Sequence, residues 1–253
     1  MISKLFQKLK LSLEPVAICY TNELPTDMSR LLDGKDVCVG VCLTAVAKGK
    51  SFFFCRDTYE GCGSGAIGIG FSNTVDEDFP VECLLSTGDE ALAQLGKTSP
   101  FPFGKGERFF ATPEIARRCL ERIKEMEVVP YKYLIMKPFR EVSQEERPAS
   151  ICVFANPDQI SALVCMSGFY TGSEESVVSP FGAACDSIAR ANLEGKKENP
   201  RAILGFFDIS QRYNLPKDLL SYTMPYTFYE DMEKSVEKNC LTTESWEELE
   251  KRQ

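Results

Sequence analysis

The sequence contains no histidine. Its absence excludes Ser-His-Asp and Cys-His catalysis, histidine-ligated zinc and histidine-based pH switching, because each of these needs an imidazole. The sequence also lacks a Cys-x-x-Cys pair, so the spacing typical of a zinc ribbon or a bacterial ferredoxin is missing. The chemistry that this sequence can support therefore depends mainly on its 11 cysteines.

Clusters of positive charge and long apolar runs are missing too. The formal net charge is -8, and an acidic surface repels phosphate backbones, so we expect no nucleic-acid partner. The longest apolar stretch, around residues 151–155, is far shorter than the ~20 residues of a spanning helix. The N-terminal residues lack the apolar core of a secretory signal. We expect a cytoplasmic globular protein with no membrane partner and mostly reduced thiols, and the sequence leaves oligomerisation open.

Strand-like and helix-like patterns mix without a regular βα repeat, which predicts an α+β fold of mixed helices and strands, with two similar lobes around mixed sheets as a further option. Apolar runs predict strands at residues 15–20, 51–55, 131–138, 151–155 and 202–208. Helical periodicity and capping residues predict helices at residues 36–48, after Thr112, from Asn156 to about Tyr170, from Leu215-Pro216, and over 226–252. Gly49 is the predicted cap of the first of these, and the glycines of residues 56–70 predict a turn-rich loop.

The most polar internal stretch, residues 141–148, predicts a boundary between an N-terminal half (1–140), which carries the Cys/Gly-rich loop, and a C-terminal half (149–253). The halves echo each other weakly. Each begins with a proline-led apolar run (PVAICY and PASICVFA), continues into a helix and carries a loop with glycine and cysteine. One compact domain is the alternative.

The strongest local feature is a group of four cysteines within 25 residues. Cys38 and Cys42 are four apart, so on a helix they share one face. Cys55 ends a predicted strand, and Cys62 lies in the glycine-rich segment. If these thiolates converge, they would hold zinc or an iron–sulfur cluster. Thiol redox chemistry and simple packing in the core are the alternatives.

Cys62 is flanked by glycines in Glu-Gly-Cys-Gly-Ser-Gly. Backbone N–H groups at Gly63 and Gly65 are free to point at its sulfur or at a bound cofactor, which would stabilise a thiolate or an anion. An ordinary turn is the alternative. Residues 63–68 also fit Gly-x-Gly-x-x-Gly, but no ribose-binding acid follows, so a dinucleotide site is a distant third hypothesis.

Two further residues are candidates. Cys185 follows a loop of small residues at a predicted helix start, where the helix dipole favours a thiolate; a packed small residue is the alternative. Arg212 lies just after the predicted strand 202–208 and is a candidate anion clamp, although a surface ion pair is the commoner role.

In their order along the chain, these segments resemble the uncharacterised domain-of-unknown-function 169 family. The resemblance rests on the following residues: Pro15–Ile18, Cys42 with Val46–Gly49, Cys62–Gly65 with Gly68–Gly70, Met136–Pro138, Asn156-Pro157, Ala184–Asp186 and Ser210–Arg212. Ser64 interrupts the family's glycine pair, and Ser210-Gln211-Arg212 stands where the family has Gly-Ser-Arg. The resemblance implies no established activity, but it implies that Cys42, Cys62 and Cys185 belong to one site.

The leading hypothesis is a cysteine-centred site that binds a metal or iron–sulfur cofactor or performs thiol redox chemistry. Cys42 and Cys62 are its predicted core members, and Cys38, Cys55 and Cys185 are predicted additions. Arg212 would neutralise an anionic ligand, with Gly63 and Gly65 lining the cofactor. The alternative is a non-catalytic module that binds a small molecule or a partner.

Overall fold

The computed structural model describes residues 2–75, 79–91 and 104–252. The chain forms two compact units, one made of residues 1–69 and 129–253 and the other of residues 70–128.

Eight strands of the first unit form one mixed sheet in the order β2-β3-β4-β1-β5-β8-β7-β6. The strands are β1 (Val16–Thr21), β2 (Leu31–Asp33), β3 (Ser51–Cys55), β4 (Tyr133–Pro138), β5 (Ser150–Ala155), β6 (Val177–Val178), β7 (Ala202–Gly205) and β8 (Leu220–Pro225). The predicted α+β class is confirmed.

The two ends of this sheet repeat one pattern. Reading outward from the centre, the order is β1-β4-β3-β2 on one side and β5-β8-β7-β6 on the other. In each half the two outermost strands are parallel and the remaining pairs are antiparallel. The halves meet where β1 pairs with β5 in antiparallel register. This arrangement relates them by an approximate twofold axis.

The register repeats as well. Val16 pairs with Pro138 in the first half, and Ser150 pairs with Pro225 in the second. Two residues before each of these prolines, Met136 pairs with Phe52 and Thr223 pairs with Ile203. On the outermost pair, Leu31 opposes Ser51 and Val177 opposes Ala202. The weak echo between the halves of the sequence is thus a repeated strand order and register within one sheet.

A crossover helix joins the parallel strands of each half. Helix α2 (Val39–Val46) leads from β2 to β3, and helix α7 (Asp186–Glu194) leads from β6 to β7. The two helices begin beside each other, since a Cβ built at Gly40 of α2 would lie 3.1 Å from Ala184 Cβ, just before α7. The equivalent starts of two equivalent helices therefore meet.

Other helices pack on the opposite face of the sheet. Helices α1 (Lys4–Leu9), α6 (Pro157–Ser167) and α8 (Tyr226–Ser235) contribute to one apolar core with side chains of the central strands. Because successive side chains of a strand point to opposite faces, this core contains Ile151 and Val153, whereas Cys152 faces the side of α7. Helix α9 (Glu244–Glu250) completes this layer through Trp246 and Leu249.

The second unit, residues 70–128, contains helices α4 (Val81–Leu84) and α5 (Pro113–Lys124). Glu82 of α4 forms an ion pair with Arg117 of α5 at 2.9 Å. Thr112 caps α5 as predicted, because its side chain accepts a hydrogen bond from the Ile115 N–H.

Several strand and capping predictions are confirmed. The strand predicted at residues 51–55 is β3, and the capping box predicted at Asn156 is formed with Gln159. The helix predicted from Leu215-Pro216 is wrong, because the chain enters β8 at Leu220. The predicted C-terminal helix is broken between α8 and α9.

Two predictions around the thiols also need correction. The first predicted helix begins only at Val39, so Cys38 is its N-cap, and it ends at Val46, with Gly49 following at φ 97°. The predicted glycine loop contains helix α3 (Gly63–Gly68). Its glycines let α3 approach neighbouring groups closely, and this tertiary packing overrides their low helix propensity.

The predicted division of the chain at residues 141–148 stays a prediction. That segment connects β4 and β5, and both strands pair with β1 in the same sheet. Among the described residues, no helix combines the length and apolarity needed to span a bilayer.

Candidate functional site

Three cysteines from distant parts of the sequence occupy the N-caps of three helices. Cys38 caps α2, Cys62 caps α3 and Cys185 caps α7. Of the three sulfurs, only that of Cys62 accepts a hydrogen bond from its helix, from the Gly65 N–H; Cys38 and Cys185 occupy the N-cap position without such a bond. A backbone N–H that donates to a sulfur at a helix N-terminus favours its negative charge. Cys38 and Cys185 cap equivalent crossover helices, one in each half of the sheet.

These two thiols make crosswise hydrogen bonds between the halves. Cys38 Sγ donates to Gln211 Oε1 at 3.6 Å, and Gln211 lies on the 3₁₀ helix Ile209–Asn214 that follows β7. Cys185 Sγ donates to the Ser64 carbonyl at 3.6 Å, on α3, which follows β3. Each thiol thus contacts the segment that follows the third strand of the other half. The site is assembled by both halves together.

Tyr59 lies among the thiols. Burial raises the pKa of its hydroxyl, and the nearby sulfurs of Cys62, Cys185, Cys38 and Cys42 raise it further, in that order. Within the described part of the chain, the buried hydroxyl has no hydrogen-bond partner. An unpaired buried hydroxyl is costly in free energy, so Tyr59 supplies an unused donor inside the thiol cluster.

Cys62 is the exposed member of the cluster. Its Sγ accepts a hydrogen bond from the Gly65 N–H at 3.2 Å, which favours the thiolate. Although the residue is exposed, the protein atoms around its sulfur partly desolvate it; this desolvation outweighs the bond and raises the pKa of Cys62, with smaller contributions from Cys38 and the Asp208 carboxylate. Cys62 is therefore reachable from solvent but resists ionisation.

The other cluster thiols are more enclosed. Burial raises the pKa of Cys42 to about 12, and the neighbouring Cys38 adds to this effect. Burial also raises the pKa of Cys185, with further contributions from Cys62, Asp186 and Cys38. Because each ionised sulfur disfavours the next, the cluster resists carrying more than one thiolate at a time.

Glycines on α3 allow the close packing. A Cβ built at Gly68 would lie 2.5 Å from Cys185 Sγ and 3.1 Å from the Cys185 carbonyl carbon. A Cβ built at Gly65 would lie 2.1 Å from the Tyr59 hydroxyl and 3.3 Å from Cys62 Sγ. These positions therefore require glycine for contact between α3, the tyrosine and α7, whereas a Cβ at Gly63 would meet nothing within 4 Å.

The Gly-x-Gly-x-x-Gly match does not have the expected setting. Residues 63–68 are the helix itself and not a loop that opens one, and the 3₁₀ helix Arg56–Thr58 separates them from the preceding strand β3. A dinucleotide fingerprint needs the glycines at the turn between a parallel strand and a helix.

Two predicted site residues lie apart from these contacts. Cys55 ends β3, and by strand alternation its side chain points away from the face of Phe54, whose ring lies 6.2 Å from the Tyr59 ring. The Arg212 guanidinium donates to the carbonyls of Leu219 and Lys217, so it holds the turn that leads into β8. Their predicted roles as metal ligand and anion clamp stay predictions.

The ligand set of the metal hypothesis also stays a prediction. In residues 2–75, 79–91 and 104–252, no group of three or more Cys, Asp or Glu side chains is arranged to hold a metal ion.

No role was predicted from the sequence for Tyr59, and in the segment 208–212 one was predicted for Arg212 but none for Asp208 or the amide of Gln211. Tyr59 and Gln211 are neighbours of the candidate residues Cys62 and Arg212, in RDTYEGCG and in SQR, but neither segment has a spacing that predicts contact with a thiol.

The structure also contains a cavity of about 620 Å³ lined by Phe6, Glu14 and Arg140, among others, and none of its lining residues is a cysteine.

Comparison with known proteins places the chain in a family. Residues 4–235 match the model of the DUF169 family, described as an uncharacterised ArCR family. The match covers most of the chain, so the protein belongs to this family, as the sequence motifs indicated. No curated protein and no solved structure matches the chain.

Proposed function

We propose that the chain performs thiol–disulfide exchange at Cys62, with Cys38 as the second thiol. The observation that carries this proposal is the convergence of cysteines at the starts of three helices, from both halves of the sheet, around Tyr59, with one of them exposed. Exchange needs two sulfurs, one of which an external disulfide can reach. We favour it over the metal hypothesis because a zinc or iron–sulfur site requires more protein ligands together.

The proposed reaction has two steps. The Cys62 thiolate attacks one sulfur of an external disulfide, which forms a mixed disulfide and releases the first thiol after it gains a proton. The Cys38 thiolate then attacks the Cys62 sulfur, forms the Cys38–Cys62 disulfide and releases the second thiol. The external disulfide is reduced by two electrons and the protein dithiol is oxidised.

Exposure assigns the roles of the thiols. Cys62 is exposed, Cys38 is half-buried, and Cys185 is buried with its sulfur against Gly68. Cys185 therefore supports the packing of α3 on α7 and takes no part in the covalent steps. The raised pKa of Cys62 means that exchange accelerates into the alkaline range, above the pH at which an ordinary cysteine ionises.

The test is reaction with dithiodipyridine followed by peptide mapping, because Cys165 is exposed as well and would add to a bulk signal. We expect the wild type to form the Cys38–Cys62 disulfide, and Cys38→Ser to stop at a mixed disulfide on Cys62. Cys62→Ser should leave Cys38 unmodified on the same timescale. Cys152→Ser, at a fully buried strand position, is the matched control and should behave as the wild type. Modification of Cys38 at an unchanged rate in Cys62→Ser would refute the assigned order.

A second candidate is a module that binds a small molecule or a partner. The observation that favours it is a set of exposed apolar side chains beside the thiols: Ile209 is 72% exposed and Tyr213 is 80% exposed, both on the 3₁₀ helix that carries Gln211. A ligand that raises the unfolding temperature equally in the wild type and in Cys62→Ser would favour binding over exchange.

A further inference from the structure

A second pair of cysteines lies apart from the site described above. Cys165 is an exposed residue of α6, and Cys240 is a half-buried residue that begins the 3₁₀ helix Cys240–Thr242. They are on the layer of helices opposite α2 and α7. The family match ends at residue 235, so Cys240 lies outside it.

Both thiols are directed to the same turn of α6. Cys240 Sγ donates to the Ala162 carbonyl at 3.8 Å. Cys165 is three residues after Ala162, and helical side chains tilt towards the N-terminus of their helix, which brings the Cys165 sulfur back over that turn. Cys165 also raises the pKa of Cys240 by its charge, after the larger effect of burial.

The segment that carries Cys240 is well fixed in the reduced protein. Asn239 is buried, its Nδ2 donates to Ser235 Oγ at 2.9 Å, and its Oδ1 accepts from the Leu241 N–H at 2.9 Å. Leu241 is buried in the apolar core. Cys240 is thus held beside α6 by neighbours on both sides, and little chain entropy remains to be lost when a covalent bond forms there.

We propose that Cys165 and Cys240 form a reversible disulfide that ties the C-terminal segment, residues 236–252, to α6. The oxidant is a low-molecular-weight disulfide. The exposed Cys165 thiolate attacks one of its sulfurs and releases one thiol, and the Cys240 thiolate then attacks the Cys165 sulfur and releases the second. Two protein thiols are oxidised, and the external disulfide is reduced to two thiols.

Such a bond joins residues that are far apart in the sequence. It would restrict the unfolded chain over the whole interval from α6 to the C-terminal segment and so stabilise the folded state. It would leave the Cys38–Cys62 chemistry intact, since α6 and the capping cysteines lie on opposite faces of the sheet.

The experiment uses the full chain, incubated with oxidised glutathione and mapped by mass spectrometry without reduction. We expect a linked pair of peptides containing Cys165 and Cys240 with the loss of two hydrogens, and a rise of several degrees in the unfolding temperature that a reductant reverses. Cys165→Ser and Cys165→Ala should each abolish both effects, and Cys165 is exposed, so these variants retain the fold.

Cys83→Ser is the control, because Cys83 is a partly exposed thiol of the other unit, and it should keep both effects. The proposal is overturned if Cys165 accumulates only as a mixed disulfide with glutathione, or if it links to a cysteine other than Cys240. Either result is independent of Cys38 and Cys62.

Discussion

The two halves of the sheet share strand order, register and a crossover helix with a cysteine at its N-cap position, but they differ after their third strand. In the first half, β3 leads to Tyr59 and to α3, capped by the exposed Cys62. In the second half, β7 leads to a 3₁₀ helix capped by Asp208, whose Oδ1 accepts from the Ser210 N–H at 3.0 Å. The repeated sheet therefore positions the site, while the segments after β3 and β7 differ: one carries the exposed thiol of Cys62 and the other carries the carboxylate of Asp208.

The difference between the halves also makes the site asymmetric. The two equivalent thiols, Cys38 and Cys185, are covered to different extents because different segments of the opposite half lie against them. An approximate twofold frame thereby holds an asymmetric set of sulfurs, in which Cys62 alone is exposed.

The largest expected effect tests the fit of α3 against the second half. Gly68→Ala places a Cβ 2.5 Å from Cys185 Sγ and 3.1 Å from Cys185 backbone, so α3 and α7 must separate. We expect the free energy of unfolding to fall by about 1–3 kcal/mol, measured by urea denaturation. Gly63→Ala, on the same helix with open space around it, is the matched control and should be neutral or slightly stabilising. Equal effects at the two glycines would contradict the close contact.

The next prediction compares the loss of stability caused by replacing a buried cysteine of the sheet, Cys152, with that caused by replacing the exposed Cys62. Cys152 on β5 is fully buried and lies opposite Thr223 of β8, so Cys152→Ser should lower the free energy of unfolding by about 1–2 kcal/mol. Cys62→Ser should change it by no more than ~0.5 kcal/mol, since Cys62 is exposed. Urea denaturation of both variants checks this. A larger loss for Cys62→Ser would show that Cys62 serves the packing.

Alkaline pH should weaken the fold through the buried thiols. Burial raises the pKa of Cys152 from 9.0 to about 12, so the folded state keeps this thiol neutral while the unfolded state ionises. Its contribution to stability is complete below the unfolded pKa and is lost as the pH rises from 9.0 towards 12, by up to ~1.4 kcal/mol for each pH unit. Unfolding measured at about pH 8 and about pH 10 should show a shallower decline in Cys152→Ala than in the wild type. Parallel declines would mean that other groups dominate.

The smallest expected effect is that of the Asp208 carboxylate, in the second half, on the pKa of the Cys62 thiol, in the first half. Asp208 helps to raise the pKa of Cys62, after burial and Cys38. Asp208→Asn keeps an acceptor for the Ser210 N–H but removes the charge, so the pKa of Cys62 should fall slightly. The pH dependence of iodoacetamide labelling at Cys62, followed by peptide mapping, measures this. Asp218→Asn, at an exposed position on the turn before β8, changes the net charge in the same direction and is the control. An unchanged profile in Asp208→Asn would place the carboxylate too far away to act.

Local sequence signals predicted the parts of the fold that local forces decide. The apolar run SFFFC became β3, and the Asn156 and Thr112 caps began α6 and α5 as expected. The start of α7 at Cys185 was also predicted, because a loop of small residues precedes it. In each case, the residues that form the signal make the contacts.

The site depended on contacts between residues far apart in the sequence. Glycines gave no reason to expect α3, whose contacts with Tyr59 and Cys185 exist only after the chain has folded. Likewise, β8 was missed because Leu215-Pro216 resembles a helix start, whereas its pairing with β5 decides the outcome. Cys38, Cys62 and Cys185 were candidates from the sequence alone. The contacts of Cys38 with Gln211 and of Cys185 with Ser64 could not be predicted, because they form only when the two halves pair in one sheet.

The seam between β1 and β5 has a consequence for synthesis on the ribosome. Only three residue pairs join the halves at this seam, and β5 begins at residue 150. As the chain emerges, β1 and β4 are made before β5 and β8, so the edge of β1 is open and Cys38 lacks Gln211 until the second half is released. During that interval Cys38 is more accessible than in the folded protein, because the segment that carries Gln211 has not yet been made.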